Sequence, residues 1–373
     1  MVLINNMKPY KNIGPGAHIQ ELIDIRDWTQ QDLADVVGVS AKHVNKLIND
    51  EQPITLNMAK LLGEAFDLSP QYWINLDTNY RLRLEDETEE EKDVDIRSKI
   101  YQFMPINEMS RKRWIKKPKT TDKLEAMVCE FFKMDTLRFD VMAKVSTLNY
   151  RKSEAYDQFN PYAANCWYQM AKNAAEDLNA AEYNKATLQE LADSLYSYTR
   201  RKKGVVEVIR NLNEAGVKFL VLSHLQKTYI DGASFIHQGS PVIVYTARYK
   251  RNDNFWFTMA HEVAHVLKHL KKEGDHFLDD INKKKEVEDK IEMEANKLAG
   301  KWLRHNEILE FFSNDLVYIT QQQVEDCSEA LDVHTAIIMG VLAYHKQISY
   351  KFLHMFTEDV RPQIPMDFYV EPK

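Results

Sequence analysis

The 373-residue chain predicts a mainly helical α+β protein in two parts. An N-terminal five-helix bundle built around a helix-turn-helix comes first, and a larger domain with a small sheet follows. Three observations predict this. Two short capped helices meet at a glycine between Thr29 and Asn49. Apolar residues recur at helical spacing through most of the chain, while short strand-like runs gather within 216–248. Directly after those runs comes the pentad His261-Glu262-Val263-Ala264-His265 on a helix-patterned stretch.

Apolar spacing predicts the first helix over 17–26. Thr29 caps a second over 30–37, with Asp32 completing a capping pattern. Gly38 makes the turn, and Ser40 caps a third helix over 41–49. Leu33, Ala34, Val39, Val44 and Leu47 fall where a helix-turn-helix keeps its core. Helices over 56–66 and 70–80 complete the bundle, which sets the first domain at 1–84. The third helix would present Ser40, Ala41, Lys42, Asn45 and Lys46 to the major groove. Gln30 and Gln31 open the supporting helix, where side chains meet a phosphate. Asp24, Asp27, Asp32, Asp35, Asp50, Glu51, Glu64 and Asp67 run against the usual basic footprint. A helical protein-interaction module is therefore the alternative.

The acidic stretch 84–95 reads as a solvated face or linker, which places a charged linker at 85–120. The basic run 111–117, with Trp114 inside it, reads as a surface segment. From 121 to about 205 the pattern is helical. Strands are expected over 217–222, 234–237 and 242–245, with either 233–236 or 242–245 as an edge that pairs with an extended peptide. After the metal helix and the next, helices are expected over 307–312, 320–331 and 335–344. Cys129, Cys166 and Cys327 show no C-x-x-C spacing, which predicts a reducing compartment and no cysteine metal site. The net charge of -7, the lack of an apolar leader and the lack of a long apolar run predict a soluble cytoplasmic protein without a membrane partner.

The chemistry concentrates over 253–270. Phe255, Trp256, Met259, Ala260, Val263, Ala264, Val266, Leu267 and Leu270 form an apolar arc. Thr258, His261, Glu262, His265 and His269 gather opposite it, and Asn252 or Asp253 would cap the helix. Residues four apart share a helix face, so His261 and His265 can address one cation, with Glu262 beside them as a base. His269 lies about 12 Å along the axis from His261, too far to complete the set. A downstream helix over 287–304 offers two carboxylates. Glu292 sits at the edge of the buried stripe Ile291, Ala295, Leu298, Ala299, Trp302 and Leu303, whereas Glu294 falls among Lys290, Lys297 and Lys301. Burying an acid is costly without a cation to compensate it, so Glu292 is the expected third ligand. The site is then His261, His265 and Glu292 around one Zn2+ per chain, with one coordination position open.

Phe255-Trp256-Phe257-Thr258 before the pentad, and Glu292-Met293-Glu294-Ala295-Asn296 after it, resemble the ImmA/IrrE metallopeptidases, the latter as their E-x-E-A-N signature. Weaker similarity runs through Gly216-Val217, Asp231-Gly232-Ala233 and 241–248, then 333–345, about two thirds of the chain in all. The chain departs from that family where Trp302-Leu303-Arg304-His305 carries no proline. The resemblance implies a zincin-like metallopeptidase domain over 121–373. Pro15-Gly16, Trp28-Thr29-Gln30 and Ser69-Pro70-Gln71-Tyr72-Trp73 resemble the XRE/Cro domains of the HigA antitoxin branch.

Glu262 would take a proton from water and pass it to the leaving amine. Tyr245, His224, His237 and His276 are candidates to stabilise the oxyanion. Together the resemblances imply a homodimeric regulator on operator DNA that cleaves an XRE-type repressor, or itself near Leu84. The alternative is a HigA-like antitoxin and autorepressor whose second domain senses a signal or holds a cognate toxin.

Overall fold

The computed structural model describes residues 12–84, 88–143, 159–279, 290–313 and 319–370. Parts of the expected helical segments, 144–158 and 287–289, lie outside the described residues, as do the acids at 85–87 and the start of the chain, 1–11. The chain divides into two compact units, Met1–Val94 and Asp95–Lys373.

The first unit contains α1 (Pro15–Ile25), α2 (Gln30–Val37), α3 (Ala41–Ile48), α4 (Leu56–Phe66) and α5 (Pro70–Leu84). Local chemistry sets the helix-turn-helix. Thr29 and Asp32 form a reciprocal capping box, Gly38 stands at φ 73°, and the Ser40 hydroxyl accepts from the His43 amide. The fold then tightens around Gly16. Its amide donates to Asp50 Oδ1 at 2.8 Å, and a Cβ there would lie 2.1 Å from the Ile48 carbonyl oxygen. Ile19, Leu33, Val44, Leu47, Leu62 and Trp73 are buried in one core. Of the expected core residues, Val39 is only partly buried. α1 starts earlier than its apolar pattern because Pro15 takes the first helical turn.

The second unit is a four-stranded sheet between two helical layers. The segment expected to be a charged linker contains α6 (Glu89–Phe103), whose residues from Asp95 onward belong to this unit, and α7 (Ile106–Arg111). Ile100, Met104, Ile106 and Met109 are buried there. The acidic stretch behaves as the solvated face its charge suggests, since α6 stays exposed or half-buried from Glu89 to Lys99 and first turns fully inward at Ile100. Next come α8 (Thr121–Phe132), α9 (Phe139–Ala143), α10 (Pro161–Glu176), α11 (Lys185–Asp193), α12 (Leu195–Tyr198) and α13 (Gly204–Glu214).

Strands β1 (Lys218–Val221), β2 (Gly232–His237), β3 (Ser240–Tyr245) and β4 (His276–Asp279) are ordered β1-β3-β2-β4. β1 runs parallel to β3, and the other two pairs are antiparallel. β2 and β3 join through Gln238 and Gly239 at φ 53° and 76°, the left-handed pair a tight hairpin needs. Both strands expected at an edge are interior, and among the described residues the edges are β1 and β4. β4 went unforeseen because it carries only two apolar residues, Phe277 and Leu278, and follows a charged turn, Lys271 to Asp275.

Side chains alternate across the sheet. Phe219, Val221, Ile243 and Tyr245 enter the core shared with α14 (Asn252–Lys268). Leu220, Ala233, Phe235, Val242 and Val244 enter the opposite core, with Val128 of α8 and Trp167 of α10. α15 (Lys290–Trp302), α16 (His305–Phe311), α17 (Gln321–Leu331) and α18 (Thr335–Tyr344) complete the α14 side. No helix of the described residues is long and apolar enough to cross a membrane.

Candidate metal centre

α14 starts one residue earlier than its pattern, and neither expected residue caps it. Arg251 is the N-cap and makes no side-chain cap bond. Asn252 Oδ1 accepts from the Asp253 and Glu358 amides, and Asp253 pairs with Arg251 at 2.9 Å. These two side chains thus fasten neighbouring backbone and the N-cap residue rather than closing the helix end. The polar side of α14 does not face open solvent. It is enclosed instead: from Asn252 to Leu267 every residue except Phe257 is buried. The sheet and α15 pack on this helix, and the Phe277 ring of β4 stacks on His265 at 4.3 Å and 18°.

His261, Glu262 and His265 are 0% exposed and Glu292 is 9% exposed. The Nε2 atoms of His261 and His265 approach to 2.9 Å. Glu292 places Oε2 3.5 Å from the first and Oε1 3.5 Å from the second. All three ligand atoms lie within 4.8 Å of one another. Tetrahedral zinc with bonds of about 2.0–2.2 Å separates its donors by about 3.4 Å. The donor set and the His–Glu spacings therefore fit such an ion. Two imidazole lone pairs and a carboxylate turned inward also suit a cation far better than one another.

The helical period decides between the two acids. α15 turns Glu292 inward beside buried Ala295 and Ala299, and leaves the Glu294 side chain 56% exposed. Glu294 meets His269 at 3.4 Å, and neither joins the three-donor cluster.

Gly232, which sequence reasoning did not single out for the site, forms a seat for Glu262. A Cβ on Gly232 would lie 2.5 Å from Glu262 Oε1 and 2.7 Å from Thr258 Cγ2. The available signal was a glycine inside a strand, which marks close approach of another group.

The oxyanion candidates are placed as follows. The Tyr245 hydroxyl donates to the Tyr249 carbonyl at 2.9 Å, and burial pushes its pKa up. His237 lies 3.7 Å from both Glu176 and Glu273, and burial lowers its pKa. His276 Nδ1 contacts the Gly274 carbonyl at 2.8 Å. These contacts are not made to His261, Glu262 or His265. His224 lies in the loop after β1.

In the first unit Gln31, Ser40, Lys42, Asn45 and Lys46 are exposed, and Gln30 and Ala41 are half-buried. Asn45 Nδ2 donates to Gln30 Oε1 at 3.3 Å, which ties the two helices of the motif across their polar surface. Gln31 donates to Asp35 at 2.8 Å.

The helix-turn-helix family model matches residues 19–73, and that of the IrrE N-terminal-like domain matches 213–353. The HTH-type transcriptional regulator PrpR of Mycobacterium tuberculosis is 40% identical over 75 residues, 20% of this chain and 15% of that protein. An uncharacterized HTH-type transcriptional regulator of Haemophilus influenzae is 37% identical over 63 residues, 17% of this chain and 59% of that protein. The chain thus spans less than two thirds of either curated relative. Among solved structures, the Pseudomonas aeruginosa antitoxin HigA with the higBA promoter is 35% identical, covering 20% of this chain and 82% of that one at a TM-score of 0.20. The chain carries an XRE-type helix-turn-helix domain followed by a metallopeptidase-like domain of the IrrE N-terminal-like family.

Proposed function

We propose that this chain is a DNA-binding regulator whose second domain is a zinc-dependent endopeptidase acting on a regulatory protein. The observation that carries the reading is the convergence of His261, His265 and Glu292 beside Glu262 on a buried helix. What zinc supplies when bound is Lewis acidity toward a carbonyl and a water of near-neutral pKa. His261, His265 and Glu292 would hold the ion. Glu262, seated against Gly232, accepts the water proton and returns it to the amine that leaves. In this reading an extended peptide pairs with β4, which ends the sheet among the described residues, with Phe277 at the metal side. The substrate is an XRE-type repressor, or this chain near Leu84. Removing the metal tests the peptidase: the chain should hold one zinc, and a strong chelator should abolish cleavage until zinc is restored. A preparation that takes up no stoichiometric zinc would sink this half of the reading.

The first domain reads a palindromic operator near its own gene as a cytoplasmic homodimer. Ser40, Ala41, Lys42, Asn45 and Lys46 face the groove, and Gln30 and Gln31 face phosphate. Lys46→Glu should weaken the complex in gel shifts and flatten log K against log salt by about one unit. Wild-type protein that shows no preferred site in footprinting would contradict it.

One observation favours a second reading. His261, Glu262 and His265 are all 0% exposed, so a peptide must displace covering groups to reach them. A toxin-binding or sensing module with little turnover would have such a site. Neutralisation of an adjacent toxin by the Glu262→Gln chain selects that reading.

A further inference from the structure

We propose that His269 is a positioning residue for the metal centre, holding the His265 ring through its Nδ1 atom while Glu294 steadies the far side of His269. This rests on the metal-centre reading above. His265 directs Nε2 toward His261 at 2.9 Å and toward Glu292 at 3.5 Å. Its opposite nitrogen, Nδ1, lies 3.0 Å from His269 Nδ1. His269 Nε2 in turn lies 3.4 Å from Glu294 Oε2.

A neutral imidazole has one N–H and one lone pair. With the His265 Nε2 lone pair committed to a cation, the proton sits on Nδ1 and donates to His269 Nδ1. The His269 proton is then on Nε2, where the Glu294 carboxylate accepts. One assignment of protons satisfies both contacts, and it is the assignment a ligand histidine requires. Phe277 packs on both rings, at 4.3 Å from His265 and 5.7 Å from His269, which limits their rotation. The His269 side chain is 8% exposed and that of Glu294 is 56% exposed, so His269 carries most of the effect.

The two residues lie one helical turn beyond His265 and two residues beyond Glu292. Each was judged from sequence only as a direct ligand, and neither fits that role. His269 stands one hydrogen bond out from the ligand His265, and Glu294 stands two.

Zinc affinity of the full chain, measured by competition with a chromophoric chelator, tests the proposal. His269→Leu should bind zinc about 10- to 100-fold more weakly. His269→Asn can place Oδ1 where Nδ1 stood, so it should stay within about threefold of wild type. Glu294→Gln should cost about threefold or less. A folded His269→Leu chain that binds zinc as tightly as wild type overturns the proposal. So does an Asn variant as weak as the Leu variant, because the loss is then one of packing. Should the Leu variant not fold, His269→Ala takes its place against Asn, and the two must differ in the same sense. Wild-type protein without zinc overturns both this proposal and the metal-centre reading, whereas intact zinc uptake by every His269 variant overturns this proposal alone.

Discussion

Glu262→Gln should leave zinc bound and lower peptide cleavage by about 10²- to 10⁴-fold, the range a positioned general base contributes. The amide matches the carboxylate in shape but takes no proton. The side chain is fully buried, so removing its charge should leave the melting temperature unchanged or raised. His265→Ala makes the contrast. It deletes one of three donors that lie within 4.8 Å, and should lose both zinc and cleavage. Metal content and single-turnover hydrolysis on the same samples separate the two variants. Hydrolysis by the Gln variant at the wild-type rate rules out Glu262 as the base.

Gly232→Ala should cut cleavage by about 100-fold without removing zinc. The added methyl would sit 2.5 Å from Glu262 Oε1, the far end of a flexible side chain, which yields by moving. A catalytic group displaced by about 1 Å costs on the order of 10²-fold in rate. The same methyl would stand 2.7 Å from Thr258 Cγ2 on a β-branched, fully buried residue that yields less readily. That contact should cost about 1–3 kcal/mol of stability. The two effects separate in the double variant Gly232→Ala/Thr258→Ser, which removes the second clash. Denaturant midpoints should recover while cleavage stays low. A Gly232→Ala chain that cleaves at full rate would show that Glu262 does not need this seat.

Much of the candidate site was legible before any coordinates. The four-residue interval between His261 and His265 is local geometry, and so is the capping box of Thr29 with Asp32. Glu292 was separable from Glu294 because helical period alone sets which acid faces inward. What escaped depends on partners distant in sequence. β4 offers only two apolar residues between His276 and Asp279, and its pairing to β2, with β1 on the far side of β3, makes both expected edge strands interior. The cap expected of Asn252 was lost to Glu358, 106 residues away. The helices of 89–111 were hidden because acids and other polar residues fill the exposed first half of α6, and its buried residue, Ile100, comes only near its end.

By itself the sequence determined the short-range features: helix starts and stops, the paired imidazoles, the inward acid and the helix-turn-helix. These follow from backbone sterics and residue spacing, which act within a turn or two of chain. Only the tertiary structure decided which strand closes the sheet, that the polar side of α14 is covered, that Gly232 seats Glu262, and that His269 backs His265. Each depends on burial and close packing between segments far apart in sequence, where a contact forms only once the surrounding core excludes water and leaves a single arrangement that fills the space.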